Sequence, residues 1–113
     1  MSEQNLVCGR LAGLFGMAKR AGRLAAGFDA AVGTLVTHKA YAIFRAADAS
    51  DKTVKEISFA LSRHGSSLPL GELPLTKRQL GDALGTPKPV GVVALTDKGF
   101  AVAVGKLLDL PAD

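Results

Sequence analysis

Segments with helical and strand-like patterning alternate along the whole chain, and this order limits the possible folds more than any other feature. The pattern predicts helix, strand, helix, strand, helix, strand, helix, strand, helix, over residues 5–20, 24–26, 28–38, 40–47, 50–64, 68–73, 76–85, 90–95 and 97–108. Such alternation favours a mostly parallel sheet covered by helices on both faces. We therefore predict a three-layer α/β/α sandwich.

Residues that favour helix ends mark the boundaries of these segments. Ser50 is a candidate N-cap of the third helix, with Thr53–Glu56 as an alternative capping box one turn later. TKRQ, Thr76–Gln79, predicts a capping box for the fourth helix, and Thr96 or Asp97 caps the last one. Glycines that follow the helical patterns predict where helices end.

Two features of the apolar segments carry specific expectations. Gly9, Gly13 and Gly16 recur along one side of the first helix, which indicates that a neighbouring element approaches its backbone closely. Arg45 interrupts the otherwise apolar strand over 40–47, so its side chain must find a partner, such as nearby Asp48, or extend out of the core.

The charge of the chain is unevenly distributed. Its 113 residues, 48% hydrophobic and 21% charged, fit one domain over 1–113 with a single core. Residues 1–45 hold six Lys or Arg against two acids, whereas the remainder holds eight of each, so the net charge of +4 lies in the first 45 residues. A polyanion would be drawn to that part of the chain.

Signatures of catalysis, metal binding and membrane insertion are missing from the sequence. There is no CxxC, HExxH, P-loop or GxSxG motif, and Cys8 is expected to be a buried, inert thiol. His38 and His64 fall at predicted helix ends, where an imidazole has a structural use. We expect no enzyme activity, no cofactor and no metal. Without a signal peptide or membrane span in the sequence, we expect a cytoplasmic monomer.

Four strings in order resemble a known family. GLFGMAKRAGRLAAG, AADAS, LTKRQLGDALG and VGVVALTDKGFA follow one another with the spacing found in the L7Ae and L30e ribosomal-protein superfamily, in its bacterial YlxQ-like branch. The resemblance runs from about Leu11 to Leu108. It implies a four-stranded mixed sheet in the α/β/α sandwich, no catalytic activity, and binding of kink-turn RNA.

The resemblance also implies where RNA binds: the N-terminus of the second helix and the loop before the last strand. Gly27 matches the family glycine, while Asp29, Ala30 and Gly33 replace polar residues that commonly follow it. Backbone N–H groups at a helix start suit phosphate and base acceptors. The predicted RNA-binding residues are Lys19, Arg20, Arg23, Gly27, Phe28, Asp29, Thr86, Pro87, Lys88 and Pro89.

Three functions stay open at this point. The first is a non-catalytic binder of structured RNA, with the ribosome as one place where such a protein acts. The second is a protein-interaction module that keeps the fold but has lost kink-turn recognition, and the third is a small-molecule enzyme or nucleotide binder. Phe28 bears on the choice, because it either stacks on a base or belongs to the core.

Overall fold

The structure, a computed structural model, describes residues 3–109, with side chains from Asn5 onward. Its elements match the predicted order. The helices are Glu3–Arg20 (α1), Phe28–Val36 (α2), Asp51–Arg63 (α3), Lys77–Ala83 (α4) and Lys98–Leu107 (α5). The strands are Leu24–Ala26 (β1), Ala42–Arg45 (β2), Leu70–Glu72 (β3) and Val92–Leu95 (β4).

Capping residues set the starts of three helices. Ser50 Oγ accepts a hydrogen bond from the Thr53 amide, so Ser50, and not Thr53, caps α3. Thr76 and Gln79 form the predicted reciprocal capping box of α4. Asp97 caps α5 by accepting from the Phe100 amide. Each cap satisfies a backbone N–H that the helix itself leaves without a partner.

The order of strands in the sheet is β1-β4-β2-β3, and it corrects one expectation. The sheet is mixed, as predicted, but it is not mostly parallel. β1 and β2 both pair antiparallel with β4, and only β2 and β3 pair in parallel. The first three strands do run in one direction. Because β4 alone runs the other way and lies between β1 and β2, two of the three pairings are antiparallel.

The connection between β3 and β4 explains this reversal. After α4 the chain folds back along the helix, so that the Val90 amide donates to the carbonyl oxygen of Lys77, the first residue of α4. The chain thus returns to the end of the sheet that it left, and β4 must run opposite to β3. We call the end where β1, β2 and β3 finish and β4 begins the upper end of the sheet, and the opposite end the lower end.

The helices cover both faces of the sheet, which confirms the three-layer sandwich. On one face α1, α4 and α5 bury Leu11, Phe15, Leu80 and Val104 against side chains of the sheet that include Phe44 and Val93. On the other face α2 and α3 bury the residues Ala31, Leu35, Ile57, Ala60 and Leu61. Successive residues of β4 alternate between the two cores because strand side chains alternate between faces.

Only one of the three α1 glycines lies at a close approach. A Cβ at Gly16 would lie 3.1 Å from the Ala83 carbonyl oxygen of α4, whereas a Cβ at Gly9 or Gly13 would meet no described atom within 4 Å. The expectation of a close approach along all three glycines is therefore wrong. Gly16 is buried where α1 meets α4, whereas Gly9 and Gly13 lie on the exposed side of α1.

Candidate nucleic-acid interface

The start of α2 lies at the upper end of the sheet. Gly27 precedes the helix with φ +97°, a conformation that other residues rarely adopt, and its amide donates to the Val92 carbonyl oxygen at 2.8 Å. Among the residues whose side chains are described, none caps this helix. The first-turn amides of α2, beside exposed Asp29, are thus available to an anionic or hydrogen-bond-accepting group.

The loop of residues 85–91 reaches the same end. The Thr86 amide donates to the Gly81 carbonyl oxygen, and a Cβ at Gly81 would lie 2.5 Å from the Lys88 carbonyl oxygen. The loop is therefore pressed against α4 along its length, with Pro87, Lys88 and Pro89 exposed. Its last residues lead into Val92, the partner of Gly27. The structure thus brings together the two segments in which the sequence placed RNA contacts.

A third segment, between β2 and α3, also lies at the upper end of the sheet. The Ala46 amide donates to the Gly91 carbonyl oxygen, and Asp48 Oδ1 accepts from the Lys77 amide at 2.7 Å. Asp48 therefore joins the segment after β2 to the start of α4. The segment contains Ser50, whose side chain caps α3.

Lys77 is a candidate contact that sequence reasoning missed. It is half-buried, and its Cδ atom would lie 3.8 Å from a Cβ placed on Gly91, so the side chain runs along the loop before β4. The signal for it was present, since the capping box places Lys77 at the first position of α4 and the strand before it ends at this end of the sheet.

The basic residues that first suggested RNA lie elsewhere. The Arg23 carbonyl oxygen accepts from the Thr96 amide, which places Arg23 at the lower end of the sheet. At about 3.3 Å per residue, β1 separates Arg23 from Gly27 by roughly 13 Å. Lys19 and Arg23 are exposed there. The structure therefore does not bring Lys19 and Arg23 together with the segments at the upper end.

Arg20 follows α1 instead of pointing to the start of α2. Its Nη1 atom would lie 3.3 Å from a Cβ on Gly16. The side chain also lines a groove between α1 and α5, together with Arg10, Met17 and Lys106. Arg20 thus belongs to the outer face of the α1–α5 layer.

Phe28 is half-buried, between the two alternatives that the sequence left open. It packs against the core beneath α2 and α3 and lines a groove with Val32, Phe59 and Ala60. Its ring therefore faces α3, and it does not project freely from the start of α2.

The part of the chain that the structure describes holds neither a cluster of metal-ligating side chains nor a membrane-spanning helix. No group of three or more His, Cys, Asp or Glu side chains within residues 5–109 could hold a metal ion. No described helix has the length and apolar character needed to cross a membrane.

Comparisons with known proteins agree with this architecture. The sequence model of the ribosomal protein L7Ae/L30e/S12e/Gadd45 family matches residues 10–104. A protein with unknown function from Bacillus halodurans C superposes with a TM-score of 0.75 at 23% identity, covering 88% of this chain and 96% of that one. The Giardia lamblia 15.5kD RNA binding protein superposes with a TM-score of 0.70 at 24% identity, covering 98% of this chain and 92% of that one.

No curated protein matches the sequence. The two solved structures establish the shared fold, and the family model spans most of the chain. The chain belongs to the ribosomal protein L7Ae/L30e/S12e/Gadd45 family.

Proposed function

We propose that this protein binds structured RNA of the kink-turn type at the upper end of its sheet, without catalysing a reaction. Membership of the L7Ae family and the fold shared with an RNA-binding protein support RNA binding. The observation that carries the proposal is the hydrogen bond from Gly27 to Val92, because it joins the start of α2 to the strand that follows the 85–91 loop.

Each segment at the upper end has a distinct role in the proposed complex. The free amides in the first turn of α2 donate hydrogen bonds to bases or phosphates of the kink. Lys77 and Lys88 neutralise phosphates, while Thr86, Pro87 and Pro89 pack against a nucleotide that the bent RNA exposes. Irregular RNA offers such splayed nucleotides, whereas a plain duplex hides its base edges in a deep, narrow groove.

The side chains at the start of α2 limit how strongly the sequence of the RNA is read. Asp29 accepts a hydrogen bond from a guanine edge but repels phosphates, and Ala30 and Gly33 offer no side-chain donor. We therefore assign most of the recognition to the shape of the RNA. The electrostatic attraction that draws the RNA to the protein from a distance includes contributions from Lys19, Arg20 and Arg23. In this proposal these three residues do not contact the kink.

The test is a calorimetric titration with a kink-turn RNA and a duplex of matched length. The proposal expects tighter binding of the kinked RNA, and a larger loss of affinity for Lys88→Gln than for Arg23→Gln. Equal binding of the two RNAs would leave only non-specific attraction between a basic protein and a polyanion.

A protein-interaction module is the second candidate. It is favoured by one observation, the loss of polar side chains at positions 30 and 33 beside the start of α2. Absence of binding to both RNAs at low salt would select it. Membership of the YlxQ-like branch, a place on the ribosome, a cytoplasmic location and a monomeric state remain predictions.

A further inference from the structure

The outer face of α3 carries an aromatic side chain between two cations. Phe59 is 65% exposed, the most exposed large hydrophobic residue among those described. Lys55 and Arg63 lie four residues before and after it, so the three side chains form one stripe along the helix. Phe59 is absent from both core clusters of the described residues, so most of its apolar surface is in contact with water.

Phe59 borders a groove between α2 and α3. The groove is open to solvent along its length and has a volume of about 670 Å³. Its apolar lining is Phe28, Val32, Phe59 and Ala60.

The charges around this groove favour an anion. Lys55 and Arg63 both line it, and neither forms an ion pair with another described residue. The acid among the lining residues, Glu56, is 3.9 Å from Lys52 Nζ, so its charge is partly offset. An apolar helix of a partner protein would have to desolvate these ionic groups, which makes it a poorer occupant.

The groove begins at the proposed RNA site. Phe28 is the first residue of α2, directly after Gly27, and it also lines the groove. An RNA strand that leaves the start of α2 over Phe28 therefore meets Phe59 without crossing another element.

We propose that the α2–α3 groove binds a single-stranded segment that flanks the structured RNA. A base stacks on Phe59, and Lys55 and Arg63 hold the adjoining phosphates. Exposed aromatic rings interleaved with cations bind single strands in this way, because every base has a face that stacks. This inference rests on the proposed function but concerns a different surface and a different part of the RNA.

The experiment compares a kink-turn RNA with the same RNA carrying a tail of about six uridines, placed at either end in turn. The wild-type protein binds one of the tailed RNAs at least about fivefold more tightly than the tailless one, and Phe59→Ala removes this gain. Phe59→Trp keeps it. We also expect a smaller salt dependence when Lys55 and Arg63 are both replaced by Gln. The slope of the logarithm of the affinity gain against the logarithm of salt concentration should fall by about 0.7 for each phosphate that the variant no longer neutralises.

Tyr41→Ala is the matched control, because Tyr41 is 53% exposed but lies at the lower end of the sheet, where its amide donates to Leu95. This variant keeps the gain. If neither tail strengthens wild-type binding, or if Phe59→Ala binds the tailed RNA as the wild type does, the inference is wrong.

The design separates this inference from the proposed function. The tailless RNA, compared with its matched duplex, tests recognition at the upper end alone. The same tail on the duplex tests the groove alone, so a gain there that Phe59→Ala removes supports the groove even where kink recognition has failed.

Discussion

The Arg45 guanidinium lies 2.6 Å from the Glu72 carboxylate, across the parallel pair of β2 and β3. The two residues are direct register partners, and Arg45 also donates to the carbonyl oxygens of Ala46 and Ala47. Arg45 thus has a partner, as its position in an apolar strand required. That partner is Glu72 and not Asp48, the nearby acid in the sequence, whose carboxylate accepts a hydrogen bond from the Lys77 backbone amide.

The Arg45–Glu72 pair is expected to contribute little to stability. The Glu72 side chain is 63% exposed, and solvent screens such pairs. A double-mutant cycle with Arg45→Ala and Glu72→Ala, in which urea unfolding measures the stability of each variant, should give a coupling energy below about 1 kcal/mol. The cycle on the more exposed Lys52–Glu56 pair should give less. A coupling of several kcal/mol would contradict this account.

Asp48 should contribute more to the stability of the fold than an exposed acid usually does. Asp48→Ala removes the acceptor of the Lys77 amide and lowers the free energy of unfolding by about 1–2 kcal/mol. Asp48→Asn, which retains an oxygen acceptor, should lose less. Asp82→Ala serves as control, because an exposed acid near the C-terminal end of α4 gains nothing from the helix dipole and its removal should cost nothing measurable.

Gly81 should respond to substitution in the opposite way to Gly33, although both are helical. An alanine Cβ at Gly81 meets the Lys88 carbonyl oxygen, so the 85–91 loop must move, and we expect a loss of about 1–3 kcal/mol in urea unfolding. Gly33→Ala enters open space and should stabilise α2 by about 0.5–1 kcal/mol. Under the proposed function Gly81→Ala also weakens RNA binding. Equal stability of the two variants would show that the loop is not packed as described.

The salt dependence of RNA binding should identify which cations contact phosphates. Lys77→Gln is expected to reduce the slope of log affinity against log salt concentration by about 0.7–0.9, the effect of one phosphate that is no longer neutralised. Lys39→Gln removes an exposed charge outside the upper-end segments and should leave the slope nearly unchanged. The reverse ranking would place the RNA at the lower end of the sheet.

Local signals were sufficient to predict most of the element boundaries. The capping box of Thr76 and Gln79 and the cap of Ser50 depend on contacts within four residues, and both form as predicted. The second helix ends at Val36, two residues earlier than predicted, because His38 adopts φ +57°. The family and the three-layer fold were likewise predictable from the order of the motifs.

The direction of β4 could not be predicted from such signals. It depends on the loop that folds back along α4, where Val90 bonds to Lys77 and Lys88 packs over Gly81, and the local patterns there are those of an ordinary helix and a proline-containing loop. The prediction that the basic residues lie beside Gly27 was wrong for a related reason. Arg23 and Gly27 are neighbours in sequence, but the strand between them carries them to opposite ends of the sheet.

The orientation of Phe28 likewise depends on tertiary packing. Whether the ring points to solvent or to α3 is decided by how α2 packs on α3, a contact between segments that are distant in sequence. For Lys77, the capping box already indicated its position at the start of α4, but its nearness to Gly91 follows from the folded-back loop.

The loop between α4 and β4 is fastened at both ends by backbone hydrogen bonds to α4, from Thr86 to Gly81 and from Val90 to Lys77. Two prolines further restrict its backbone. A binding surface that is already ordered loses little conformational entropy when its ligand arrives. A bent RNA that matches this surface would therefore bind to a loop that is already ordered. Most of the conformational entropy lost on complex formation would then be lost by the RNA.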